Sequence, residues 1–381
     1  MATTSPESTA TNTAIEDVPE SAIELEGLLA SMDKSKTNKV LLGIPFTEKQ
    51  FQSYTDNPIK YITLKNATLK QGIEYYRGAK LAVDSIKSLG LSLDIEVSDY
   101  KNGVFNAANT GKLESFNGII IPSHFRGTED IAHLLLENNT PVITSYAETT
   151  KGDLNNLYEA IASPSLQRAT MLHYLKLREG NIVVVSDPDK EESNTVIETT
   201  TPGTKFLNLK DNGTFNQNEL INLLASDKTN YVVFDSNKSN ALIGLSNTLL
   251  GATGNFDIQL AILEQSLMPD ANAISPKRLR VLKMLYPTFS NDRNSKRSNT
   301  LIDSYKKTYK TEISENVIFG FDITFDSLLR LFQTHSFNES VQQKPSEHIY
   351  MTFKYKKSVI GRYNNNSLNI NQYDIDYVPN N

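Results

Sequence analysis

Apolar residues arrive in short unbroken blocks separated by amphipathic stretches. The block Val40-Leu-Leu-Gly-Ile-Pro-Phe46 is apolar on both faces, and Phe116-Asn-Gly-Ile-Ile-Ile121, Pro141-Val-Ile-Thr-Ser-Tyr146, Asn181-Ile-Val-Val-Val-Ser186, Tyr231-Val-Val-Phe-Asp235 and Ile258-Gln-Leu-Ala-Ile-Leu263 are predominantly apolar. That is the pattern of strands buried in a parallel sheet. Leu93-Asp-Ile-Glu-Val97 alternates instead, and a short strand is predicted at Lys205–Leu209.

The stretches between the blocks carry helical spacing. From Leu69 to Leu89, Tyr75, Ala79, Ala82, Val83 and Ile86 form one stripe, and Gly90 supplies the stop. Thr128 reads as an N-cap, with Glu129 and Asp130 in the first turn where the helix dipole favours acids. Further helices are expected near Leu166–Arg178, Asn216–Ala225, Ser239–Leu250, Thr300–Lys310 and Glu315–Thr334. Thr47–Thr68 reads as loop, Tyr158–Ala162 as a crossover, and residues 349–353 and 368–373 as terminal strands.

Alternating strands and helices make this an α/β chain of two Rossmann-like lobes with mostly parallel sheets. The first lobe is expected over 37–162, with 290–334 returning to it. The second is expected over 163–289, with 335–381 supplying its terminal strands.

Composition narrows the function. A chain of 381 residues is too long for one ordinary core. The first 33 residues hold seven acids and no Lys or Arg, so 1–36 reads as a disordered acidic leader or linker. The formal net charge is −6, which leaves about +1 on the rest and no nucleic-acid footprint. Without cysteine there are no disulfides and no thiolate chemistry. No apolar run approaches the roughly 20 residues of a transmembrane helix. The N-terminus lacks a secretory pattern, so either a cytoplasmic protein or an export segment upstream is expected.

No Gly-x-Gly-x-x-Gly, Walker-type or Gly-x-Ser-x-Gly motif is present, and Gly251-Ala-Thr-Gly254 is too short to hold a phosphate. A non-enzyme without cofactor or metal is therefore expected. The histidines His124, His133, His173, His335 and His348 show no metal spacing. His124 and Arg126 follow a predicted strand end, where ligands bind in open α/β sheets. Asp322, Asp326 and Arg330 line one row of the last helix, read here as its solvent edge with an i, i+4 ion pair. Residues 277–310 hold ten Lys or Arg against two acids and read as a solvated face or loop before a patch for acidic polymers.

Four segments carry a resemblance: Tyr75-Tyr-Arg-Gly-Ala-Lys-Leu-Ala-Val-Asp-Ser-Ile86, Gly118-Ile-Ile-Ile-Pro122, Pro141-Val-Ile-Thr-Ser145 and Phe319-Gly-Phe-Asp-Ile-Thr-Phe-Asp-Ser-Leu-Leu329. Their order over residues 38–377 resembles the type I periplasmic binding proteins, the leucine/isoleucine/valine-binding relatives found with ABC transporters. Within that family the chain is most similar to the C-terminal domain of Bacteroidetes envelope proteins with upstream LysM repeats. Gly361-Arg-Tyr-Asn-Asn-Asn-Ser-Leu-Asn-Ile-Asn-Gln-Tyr373 matches how those domains end.

The resemblance implies a small polar ligand held between strand ends and helix N-termini of both lobes, in the periplasm or cell envelope. The implied contacts are Ser123, His124, Arg126, Ser145, Tyr146, Asp235, Ser236 and Glu264. Three departures weaken the usual amino-acid grip. Ile121 replaces a Gly, Tyr146 replaces a small residue, and Ser165 stands where an acid usually meets the ligand ammonium. The alternatives are a scaffold that docks an envelope protein or peptidoglycan-associated partner, and, last, a two-domain nucleotide-sugar transferase.

Overall fold

The computed structural model describes residues 25–55, 57–99, 111–121, 127–145, 152–269, 273–290, 296–343 and 345–373. The expected contacts Ser123, His124, Arg126 and Tyr146 lie outside these residues, as does most of the acidic leader.

The described strands are β1 (Thr37–Ile44), β2 (Ser92–Asp99), β3 (Gly118–Ile121), β4 (Val142–Thr144), β5 (Leu157–Glu159), β6 (Asn181–Ser186), β7 (Lys205–Asn208), β8 (Asn230–Asp235), β9 (Ile258–Ile262), β10 (Leu285–Thr288), β11 (Ser346–Glu347), β12 (Thr352–Phe353), β13 (Tyr355–Lys357), β14 (Tyr363–Asn365) and β15 (Asn369–Gln372). One sheet runs β13-β14-β5-β4-β3-β1-β2 and a second runs β15-β10-β9-β8-β6-β7. Both are parallel apart from the edge strands β13 and β15, which pair antiparallel. The architecture is α/β and two-lobed.

Strand periodicity fills both faces of each sheet. Val40, Leu42 and Ile44 of β1 enter one core while Leu41 enters the opposite one. In β6, Val183 and Val185 face the helices Gln217–Leu223 and Ser239–Ala252, while Ile182 and Val184 face the helix Pro164–Lys176. This two-sided burial is why these strands read as unbroken apolar blocks.

The largest core lies under the helices Ala67–Ser88 and Glu315–Leu331. They cross at two glycines. A Cβ on Gly78 would overlap the carbonyl of Val317, and one on Gly320 would overlap the carbonyl of Tyr75. Only hydrogen fits at either position, so the two backbones touch.

Several expectations need correction. Thr47–Thr68 is not loop but contains the short helices Glu48–Thr55 and Pro58–Ile62. Thr128 opens its helix, and the cap position belongs to Gly127. The basic stretch 277–310 ends in a helix as expected, Lys296–Tyr309, but before it the described residues are not loop: they form the helix Pro276–Val281 and strand β10, with Leu279 and Tyr286 buried. The 335–381 tail does not serve the second lobe alone. β13 and β14 join the first sheet, and β15 joins the second.

The row Asp322, Asp326, Arg330 is not a solvent edge either, since all three are buried. The i, i+4 pair forms, with Arg330 Nε donating to Asp326 Oδ2 at 2.8 Å. Arg330 also donates to Ser340 O and Ser346 Oγ, each at 2.8 Å. Ser346 and His348 Nε2 share Asp326 Oδ1, the latter at 2.9 Å. Asp322 accepts the backbone N–H groups of Ile349, Tyr350 and Met351. A helix row that looks polar in sequence is buried because residues 346–351 fold over it and satisfy its charges.

Candidate functional site

The first sheet contains the order 2-1-3-4-5, and the second repeats it as 7-6-8-9-10. In such sheets the chain reverses direction on either side of the first strand. The crevice outside the carboxyl ends at that point is where ligands bind. Here the relevant ends are Ile44 and Ile121 in the first sheet, and Ser186 and Asp235 in the second.

Three connections join the lobes, and each leaves the carboxyl end of a strand. β5 leads through 160–163 into the helix Pro164–Lys176, β10 through 289–295 into the helix Lys296–Tyr309, and β14 through 366–368 into β15. The links 160–163 and 366–368, of four and three residues, hold the two carboxyl edges next to each other. Asn365 fastens two of them. Its side-chain amide donates to Ala160 O at 3.0 Å and Thr352 O at 2.9 Å, and its carbonyl accepts from Lys354 N at 2.9 Å and Ser367 N at 3.0 Å. Ser290 and Met351 form a bridge on the remaining connection.

On the second lobe, a charged cluster occupies the strand ends. Arg168, one turn into its helix, grips Asp235 with both terminal nitrogens at 3.0 and 2.7 Å and reaches Glu264 with Nε at 2.5 Å. Ser193 donates to Asp235 at 2.6 Å, and Lys190 reaches the same carboxylate at 3.1 Å. Burial pushes the Asp235 carboxyl up, but the Arg168 and Ser193 hydrogen bonds and the Lys190 charge outweigh it and hold the pKa below the usual value. Lys238 pairs with Asp187 at 2.7 Å beside this group. Lys190 and Lys238 occupy the cap positions of the helices Glu191–Thr200 and Ser239–Ala252.

The first lobe has a smaller cluster at its own strand ends. Glu159 ends β5 and is fully buried, paired in register with Thr144 at the end of β4. Arg362 places one terminal nitrogen 3.3 Å from Glu159 and 3.6 Å from Glu129, which lies in the first turn of the helix Thr128–Leu134. Thr128 and Thr144 are buried here with no hydroxyl partner among the described residues. An acid in that first turn disfavours a ligand carboxylate at this helix start, because Glu129 already uses the favourable field.

Comparison with known proteins addresses the fold. No protein-family model matches the chain, and no curated protein matches it in sequence. Solved structures do match. A branched-chain amino acid ABC transporter protein from Rhodospirillum rubrum superposes with TM-score 0.58 at 10% identity, over 86% of this chain and 95% of that one. An ABC transporter substrate-binding protein from Desulfitobacterium hafniense gives 0.52 at 13%, over 88% and 97%. Full-length LpoA from Haemophilus influenzae gives 0.55 at 11%, over 91% of this chain and 59% of LpoA.

The chain has the type I periplasmic-binding-protein fold.

Within this type I fold, the structure brings together Asp235, Ser236 and Glu264 from the expected set. Asp235 ends β8, Ser236 follows it with its hydroxyl accepting from Lys238 N at 3.1 Å, and Glu264 lies two residues beyond β9. Ser145 stands apart on the first lobe, directly after β4, where its carbonyl accepts from Ile161 N at 2.8 Å. Arg168, Lys190, Ser193, Glu129, Glu159 and Arg362 were not anticipated. For Arg168 a signal existed: Ser163-Pro164 is a strong helix start directly after a crossover, and a basic residue one turn later lands at the strand ends. Nothing in the sequence pairs Glu129 with Arg362, which are 233 positions apart. Among the described residues no helix is long and apolar enough to cross a membrane, and no group of three His, Asp or Glu is placed to hold a metal.

Proposed function

We propose that this chain is a non-enzymatic solute-binding protein of the cell envelope that takes a small polar ligand at the adjoining carboxyl edges of its two sheets. The observation that carries this reading is the repeated 2-1-3-4-5 order, with the three interlobe connections all leaving carboxyl ends. Two edges joined this way can approach and separate by hinge motion, which suits capture and release. The proposed contacts remain Ser123, His124, Arg126, Ser145 and Tyr146 on the first lobe, and Ser236 with the Asp235 and Glu264 cluster on the second.

Arg168 modifies that reading. It gives Asp235 and Glu264 a cation from within the chain, so neither acid offers an open seat to a ligand ammonium. The ligand face of the second lobe is then the outer edge of Arg168 together with Lys190 and Ser236, which suits a neutral or anionic polar group. Support also comes from likeness in fold to substrate-binding proteins.

A second reading is favoured by the same ion network and by the likeness to LpoA. If the edge clusters are satisfied internally, the fold serves as a scaffold that docks an envelope or peptidoglycan-associated protein. Thermal-shift titration with amino acids, muropeptides and nucleotides separates the two. A ligand at 100 times its Kd adds about 2.7 kcal/mol of stability. A response from amino acids or muropeptides supports solute binding; silence across the panel overturns it in favour of the scaffold.

A further inference from the structure

The apolar core between the helix Thr128–Leu134 and the first sheet is closed at its strand-end side by a polar layer. On the helix, Thr128 heads the stripe continued by Ile131, Ala132 and Leu135, which bury against the sheet. On the sheet, Val142 and Leu157 enter the same core. Thr144 and Glu159 lie two residues further along those strands, so they point to that face as well. Asn364 on β14 is the register partner of Glu159 and shares its face. Arg362, just before β14, reaches Glu159 and Glu129 with one terminal nitrogen.

Four polar atoms of this layer are buried without a hydrogen-bond partner among the described residues: the hydroxyls of Thr128 and Thr144, Arg362 Nε and Asn364 Oδ1. Thr128 is 2% exposed and Thr144 1%. Buried polar atoms are ordinarily paired, so four orphans in one layer mark a place that receives a group from outside the chain. The chemistry of that group is narrow. Arg362 Nε only donates and Asn364 Oδ1 only accepts, whereas a threonine hydroxyl does either. A carboxylate has no hydrogen for Asn364, and an ammonium has no lone pair for Arg362. A hydroxyl has both. Two adjacent hydroxyls bring two hydrogens and four lone pairs, enough to serve all four atoms.

Resting on solute binding at the adjoining sheet edges, and naming the ligand class for it, we propose that this layer takes a vicinal diol of an uncharged polyol or sugar, hydrogen-bonded to Thr128, Thr144, Arg362 Nε and Asn364 Oδ1.

The test is an NMR titration of the full chain, with its threonine methyls labelled, against D-glucose, D-ribose and myo-inositol. Propionamide and leucine serve as an uncharged amide and a zwitterion. The expected result is saturable shifts at the Thr128 and Thr144 methyls with at least one polyol, and weaker binding of both controls. Thr128→Val and Thr144→Val keep the side-chain shape and remove a hydroxyl. Each should weaken polyol binding about tenfold, the factor that one net hydrogen bond supplies. The Tm of each free variant should stay level or rise, because an orphaned hydroxyl is removed rather than a bond. A lower Tm in both free variants would mean that the hydroxyls serve the fold or a buried water, and overturns the proposal. Polyol binding unchanged in both variants, or a response to leucine or propionamide alone, overturns it while leaving solute binding intact. Silence from all five compounds overturns it too, and solute binding falls with it only if muropeptides are also silent.

Discussion

Arg330 and Asp326 form an ion pair 2.8 Å long in which neither side chain is more than 1% exposed. The pair joins the first lobe's long helix to residues 346–351 through Ser346 and His348. Removing one partner leaves the other as a charge out of water, so Asp326→Asn is expected to cost about 3–5 kcal/mol in urea denaturation. The double variant Asp326→Leu with Arg330→Met should lose less than the two single changes added together, because no lone charge remains.

Asp322 predicts a pH dependence of opposite sign to most carboxylates. Burial pushes its pKa to about 6, against the pull of His348 and three backbone N–H groups. A raised folded-state value means the folded chain binds the proton more tightly than the unfolded one. Its contribution is therefore present at low pH and declines as pH rises from about 4 to 6. Asp326 acts in reverse. Its pKa is held at about 2, since Arg330 and His348 outweigh a large burial penalty, and its stabilisation is lost as pH falls from about 4 toward 2. Stability measured from pH 4 to 7 should therefore fall less with rising pH in Asp322→Asn than in the parent, and an unchanged slope would refute this assignment.

The glycine crossing gives a contrast between substitutions of the same kind. Gly78→Ala and Gly320→Ala should each destabilise by about 2 kcal/mol or more, because the added methyl meets backbone that cannot move aside. Gly244→Ala lies in the helix Ser239–Ala252, where the added carbon would meet only Phe215, at 3.8 Å. There the better helix propensity of alanine should stabilise by up to about 1 kcal/mol. Thermal unfolding of the three variants checks both signs.

Arg168→Gln should destabilise by about 1–3 kcal/mol. The cost is smaller than at Asp326 because Lys190 and Ser193 still hold Asp235. In the parent the depressed Asp235 pKa contributes stability above about pH 4 that is lost on acidification. Without Arg168, burial raises that pKa, so the loss should begin at higher pH. The difference between parent and variant is then largest near neutrality and shrinks toward pH 3, which parallel denaturation series would reveal.

Asn365→Ala removes four hydrogen bonds from a buried position shared by two interlobe connections. An expected loss of about 2–4 kcal/mol should be accompanied by faster amide exchange at Lys354 and Ser367, whose N–H groups lose their acceptor. Isosteric Asn365→Asp keeps the acceptor but not the donor, and should protect those two amides while still destabilising.

Much of this architecture was legible because buried parallel strands are apolar on both faces, as in Val40–Ile44 and Ile182–Val185. The strands that escaped are short. β5 is three residues long and overlaps a stretch read as crossover, and β10 contains Pro287 and follows a run of basic residues. The helix Glu191–Thr200 escaped too, because Ile197 is its one buried residue and leaves no stripe. At the candidate site, position at a strand end was enough to flag Asp235 and Glu264. Partners contributed from elsewhere, such as Arg168 and Arg362, leave no periodic trace. The acidic row Asp322–Asp326 misled for a related reason. Local spacing defines a helix face, but only the segment 346–351, folded back from beyond the helix, decides that the face is covered.

The split ending of the chain has a consequence for anyone wishing to dissect it. Residues 355–365 close the border of one sheet and 369–372 close the border of the other, so a single protease nick near 354 would strip both at once. Neither half corresponds to a contiguous stretch of gene. Expressing one lobe alone would require splicing distant pieces together, and a simple truncation meant to isolate either half would damage its neighbour.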